Sequence, residues 1–95
     1  MNRHRLKVAR KLRYTADIFG LEFRCPGLKP WPGQFFQVQV DDNLEIFLNR
    51  PISIASYRSG RLLLVIRVVG RGTRVLSTKE PGDHVTLFGP LGNAF

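Results

Sequence analysis

Three short runs hold residues whose types and spacing suit chemistry. The first is Arg50-Pro51-Ile52-Ser53. The Arg50 guanidinium is a planar, permanently charged fork that matches a phosphate or pyrophosphate bidentately. Pro51 donates no backbone hydrogen bond, so the strand it begins is predicted to present an open edge to a ligand. Ser53, three residues after Arg50, offers a hydroxyl to polar ring atoms. The same residues would also serve as a surface ion pair beside an ordinary strand position.

The second run is Arg67-Val68-Val69-Gly70-Arg71-Gly72-Thr73. Glycine lets a backbone turn sharply and lets a ligand approach it. Amides at a helix start attract anions, and Arg67, Arg71 and Arg74 add positive potential. The spacing matches neither a Walker loop nor GxGxxG, and a tight strand-to-helix turn capped by Thr73 explains it equally well. The third run is Gly89-Pro90-Leu91-Gly92-Asn93-Ala94-Phe95, a patterned loop followed by an apolar residue, suggestive of a chain that continues. No side chain here is placed to act as a general acid or base.

The elements that must position these runs are short strands. Leu6, Val8, Leu12 and Tyr14 alternate with Arg5, Lys7, Lys11 and Arg13, broken by Arg10, and predict a strand with one wet face. Phe19 to Cys25 and Gln34 to Val40 alternate in the same way, with Phe19, Phe23 and Phe36 facing inward. Asp41, Asp42 and Asn43 read as a turn. Pro51 to Ala55 is a short strand, and Leu62 to Val69 is apolar on both faces and predicted to be well buried. Val85 and Leu87 mark a last strand after the Pro81-Gly82-Asp83 turn. Only Gly72 to Lys79 reads as helix. Six short strands and one small helix predict an all-β fold, a closed or nearly closed six-stranded antiparallel barrel.

Composition narrows the function. The 95 residues fit one domain, and 43% hydrophobic content supports one core. The longest apolar run, Leu62 to Ile66, is far too short to cross a bilayer, and no signal-peptide core is present. The single cysteine, Cys25, excludes an internal disulfide and any multi-cysteine metal site from this chain alone, and His4 and His84 lack ligand spacing. A reduced, cytoplasmic setting is expected. The net charge of +8 is concentrated in Arg3, Arg5, Lys7, Arg10, Lys11 and Arg13. Such a cluster could attract nucleic acid or an acidic partner, but it also suits the solvent face of an edge strand, which is the reading preferred here.

Taken in order, PGQFFQV, RPISI, VVGRGT, LS, PGD and GPLGNAF resemble the FAD-binding domain of ferredoxin reductase-like flavoproteins. RPISI with GPLGNAF is similar to the electron-transfer subunit of NAD-linked dihydroorotate dehydrogenase, over Leu6 to Phe95. The resemblance implies a six-stranded antiparallel Greek-key barrel with non-covalent FAD, with Arg50, Pro51, Ile52 and Ser53 on its pyrophosphate and flavin side. It also implies that Val65, Ile66 and Arg67 meet the flavin and that Gly72 and Thr73 meet the pyrophosphate. An aromatic residue is frequent in the family where Ile66 stands.

The family's NAD-binding domain and iron–sulfur segment have no counterpart in residues 1–95. The chain is therefore expected to be an FAD-binding barrel that is inactive alone. It would pass electrons from dihydroorotate oxidation toward NAD, in pyrimidine biosynthesis, beside a dehydrogenase catalytic subunit. No metal, membrane or nucleic acid is expected. The alternatives are the FAD domain of another reductase and a small basic barrel that binds nucleic acid.

Overall fold

The computed structural model describes residues 2–31, 33–41, 46–48 and 50–92. The expected turn at Asp42 and Asn43 lies outside them, as do Asn93 to Phe95 of the last run. The chain forms β1 (Arg3–Arg13), β2 (Ile18–Arg24), β3 (Phe35–Asp41), β4 (Ile46–Phe47), β5 (Ile52–Arg58), β6 (Arg61–Arg67), α1 (Arg71–Leu76) and β7 (His84–Leu91).

Every strand pairing is antiparallel. Strand order is β4-β3-β5-β6-β2-β1-β7, and β7 pairs with β3 to close the ring. Six strands make the barrel, and the two-residue β4 lies beside β3 as an addition the sequence did not reveal. Because β2 neighbours β6 rather than β3, the order is a Greek key, as predicted.

Closure leaves one inner face for the apolar halves of the strands. Phe19, Phe23 and Phe36 are 1%, 0% and 0% exposed, and Leu62, Leu64 and Ile66 fill the same core. Each such side chain contributes about 1.5–3 kcal/mol by leaving water. The outer face of β6 is more open than expected: Val65 is 38% exposed and Leu63 half-buried. A barrel strand has only one inner face, so its β-branched outer residues remain at the surface.

β1 departs most from the alternation predicted for it. Val8 pairs with Phe23 and Arg10 with Glu22, so a bulge falls at Ala9. A bulge inserts one residue and reverses which face the following residues use. Leu12 now stands opposite Gly20, and Tyr14 is 50% exposed with its ring against Gly20 on the outside. Lys11 stands opposite buried Leu21 instead of facing solvent. Its Nζ donates to the Ser77 carbonyl at 2.6 Å and to Glu80 Oε1 at 3.0 Å. The basic N-terminal segment is therefore not a uniform outer face.

Candidate functional site

The hairpin partners β5 and β6 separate at one end of the barrel. They pair from Arg58 opposite Arg61 up to Ile54 opposite Leu64. Beyond that point Ile52 and Ser53 pair with Phe36 and Phe35 of β3. Among the described residues, Val65 to Arg67 pair only with β2, from Gly20 to Ile18. The edge of β6 facing β5 is thus open there, with main-chain donors and acceptors in search of partners.

A cleft of about 480 Å³ fills the gap. Arg50, Pro51, Ile52, Val65, Ile66, Arg67, Gly72 and Thr73 all line it. Of the site residues predicted from sequence, only Ser53 does not. It is exposed one position further along β5. Leu48, Val69, Gly70 and Arg71 complete the wall. Leu48 carried no signal in the sequence, because the apolar floor it provides depends on β3. Its amide donates to the Val38 carbonyl at 2.9 Å, and its own carbonyl accepts from Gln37 Nε2 at 2.7 Å.

The lining divides by chemistry. Leu48, Ile52, Val65 and Val69 form an apolar surface, with Val69 73% exposed. Arg50, Arg67 and Arg71 are exposed cations around it. The Ile66 side chain points into the core, so the cleft receives its main chain; an aromatic ring there could not stack on a ligand without leaving the core. The Arg67 side chain reaches Asp17 at 3.9 Å, a loose exposed pair that leaves it free to turn toward an anion. The Asp17 carbonyl accepts from the Val68 amide at 2.7 Å and fixes the end of β6.

The two glycines differ in what they do. Gly70 is fully extended, φ −177° and ψ −171°, and a Cβ there would meet no protein atom within 4 Å. The fold makes no demand for glycine at that point, and the Gly70 main chain lines the cleft. Gly72 is required by packing: a Cβ would lie 2.8 Å from Leu48 Cδ2 and 3.2 Å from Val40 Cγ2. Its lack of a side chain brings α1 against β3, a packing role that stands beside its place in the cleft lining.

Thr73 closes the strand-to-helix turn with its hydroxyl, from within the first turn of the helix rather than from the cap position. The cap residue is Gly70, and α1 ends at Leu76, short of Lys79. Thr73 Oγ1 accepts from the amides of Val69 at 2.8 Å and Gly70 at 3.1 Å, and donates to the Gly70 carbonyl at 3.2 Å. Its hydroxyl is fully engaged in closing the turn. What the turn leaves without intrahelical partners is the main-chain amides of Arg71, Gly72 and Thr73.

No family profile matches the chain. Among solved structures it superimposes on the NADH-dependent reduced ferredoxin-NADP oxidoreductase with a TM-score of 0.82 and 27% identity, over 95% of this chain and 33% of that one. The FAD apo form of the ferredoxin reductase in carbazole 1,9a-dioxygenase gives 0.75 at 21% identity, over 96% of this chain and 30% of the other, a likeness of fold. The barrel is thus that of the ferredoxin reductase-like flavoproteins.

Two curated relatives are more similar in sequence. One, from Lysinibacillus sphaericus (strain C3-41), is 36% identical over 98 residues, all of this chain and 38% of the relative. The other, from Desulforamulus reducens, is 40% identical over 93 residues, 94% of this chain and 36% of the relative. Both are electron transfer subunits of dihydroorotate dehydrogenase B (NAD(+)). The chain is similar to both over nearly all of its own length, and it spans little more than a third of theirs.

Proposed function

We propose that the cleft between β5 and β6 holds FAD. The observation that carries this reading is the divergence of the two strands, which places the open β6 edge, the Arg50 side chain and the Gly70–Thr73 turn around one cavity. Those residues fit the group. The apolar surface of Leu48, Ile52, Val65 and Val69 suits a ring system, and the open main chain of Val65 to Arg67 suits the polar edge of that ring. Arg50 and Arg71 suit a pyrophosphate. The space beside Gly70, which no protein atom needs, suits close approach of a ligand to the backbone.

Bound flavin would supply the redox chemistry, accepting an electron pair as hydride and releasing electrons singly. The chain's own part is to hold and orient. Arg50 neutralises phosphate charge, the β6 edge fixes the ring by hydrogen bonds, and the apolar wall excludes water from one side. As in the relatives' names, the whole subunit is proposed to carry electrons between dihydroorotate oxidation and NAD, beside the dehydrogenase catalytic subunit, in cytoplasmic pyrimidine biosynthesis. No helix among the described residues is long and apolar enough to cross a membrane.

The test is a titration of the purified chain with FAD, read by flavin fluorescence and absorbance. Saturable binding is expected. A chain whose circular dichroism shows it folded, yet which binds no FAD at high micromolar concentration, would refute the proposal.

A further inference from the structure

On the outside of the barrel, away from the cleft, Arg24 of β2 stands opposite Arg61 of β6, and Arg61 stands opposite Arg58 of β5. Three cationic side chains therefore stand in one row on neighbouring strands, about 4.8 Å apart. All are exposed. Like charges directly opposite one another destabilise a sheet. Among the described residues no carboxylate pairs with any of the three. Glu22, the acid in the same groove, is engaged by Arg10 at 3.1 Å.

The row is also held rigidly. Ser59 and Gly60 form the β5–β6 turn with φ 54° and 77°, which sets Arg58 against Arg61. The Gly60 carbonyl accepts from the Cys25 amide at 2.7 Å, and the Cys25 carbonyl accepts from the Tyr57 hydroxyl at 2.7 Å. These bonds pin the hairpin tip to the end of β2, beside Arg24. A surface built at a cost in stability and fixed in place reads as one kept for a partner.

We propose that this row is a docking surface for an acidic segment of another protein, whose carboxylates pair with the Arg24, Arg58 and Arg61 guanidiniums. The groove around the row has a volume of about 610 Å³, and Arg10, Glu22 and Ser56 line it beside the three arginines. None of the described residues that line it is aromatic, so a nucleic-acid base would find no ring to stack on. An acidic segment complements both the row and the net charge of +8.

The experiment uses a fluorescein-labelled hexaglutamate peptide, with fluorescence anisotropy at low and physiological salt. Binding to the native chain is expected, weakening as salt rises. The combined change Arg24→Ser, Arg58→Ser and Arg61→Ser should weaken it roughly tenfold. A control with equal charge loss elsewhere, Lys7→Ser, Arg13→Ser and Lys29→Ser, should weaken it much less. Thermal melting should show the groove variant at least as stable as the native chain, because the repulsion has been removed. The single change Arg61→Thr, at the centre of the row, should show the same two effects in smaller measure. Absence of peptide binding, or equal losses in groove and control variants, would overturn the proposal. So would an oligothymidylate of equal charge that binds more tightly and loses more on the groove substitutions, since the occupant would then be nucleic acid.

Discussion

Lys11 Nζ lies 2.6 Å from the Ser77 carbonyl oxygen, joining the first strand of the barrel to the residue that ends α1. The ammonium sits where the helix carbonyls run out and where positive charge is favoured. With a side chain only 13% exposed, Lys11 also pairs with Glu80 at 3.0 Å. It holds the helix that forms one side of the cleft.

Lys11→Met should therefore destabilise the chain by about 1–3 kcal/mol, the cost of leaving the Ser77 carbonyl without a charged donor. Lys7→Met, at an exposed position on the same strand, should stay within about 0.5 kcal/mol. Urea unfolding followed by circular dichroism distinguishes them. Equal stability of the two variants would show that Lys11 is an ordinary surface residue.

The glycines of the turn should separate folding from binding. Gly72→Ala should destabilise by about 1 kcal/mol, because crowding of Leu48 and Val40 outweighs the gain in helix propensity. Gly70→Ala should leave stability nearly unchanged, since its backbone is extended and its Cβ would meet open space. It should nevertheless weaken FAD, because Gly70 lines the cleft and the proposed function brings a ligand close to its main chain. Melting temperatures beside FAD titrations check both, and a Gly70→Ala chain that binds FAD as the native one does would remove Gly70 from the site.

Burial pushes the Cys25 thiol above its ordinary pKa. The thiolate is the reactive form, so alkylation near pH 8 should be slower in the folded chain than in urea. The sign for stability follows. Folding favours the neutral thiol, so this contribution is complete below the unfolded thiol's pKa and is lost as pH rises through the folded value. Cys25→Ala should flatten the alkaline decline in stability, measured by denaturation between neutral and alkaline pH. An unchanged decline would assign it to other groups.

Much of the barrel was legible because period-two alternation reports which face of a strand is buried. It worked for Phe19, Phe23 and Phe36, all of which lie in the core. It failed after Ala9, where one inserted residue reverses the faces of Lys11 and Leu12; Arg10 breaks the alternation there, but a single break does not show that the faces exchange. Positions of the cleft residues were legible because arginine, proline and glycine mark edges and turns. Their individual parts were less so. Gly72 answers to Leu48 across the fold, and the Thr73 hydroxyl closes on Gly70, partners that residue spacing alone did not identify.

The central claim is that Arg50, at the mouth of the cleft, holds the pyrophosphate of FAD. Titration calorimetry of native chain and Arg50→Ala with FAD and with riboflavin, which lacks phosphate, tests it most directly. The account predicts a loss of about 1.5–3 kcal/mol for FAD, roughly ten- to a hundredfold in affinity, with riboflavin binding little changed. Equal losses for both ligands, or FAD binding untouched by the substitution, would contradict it.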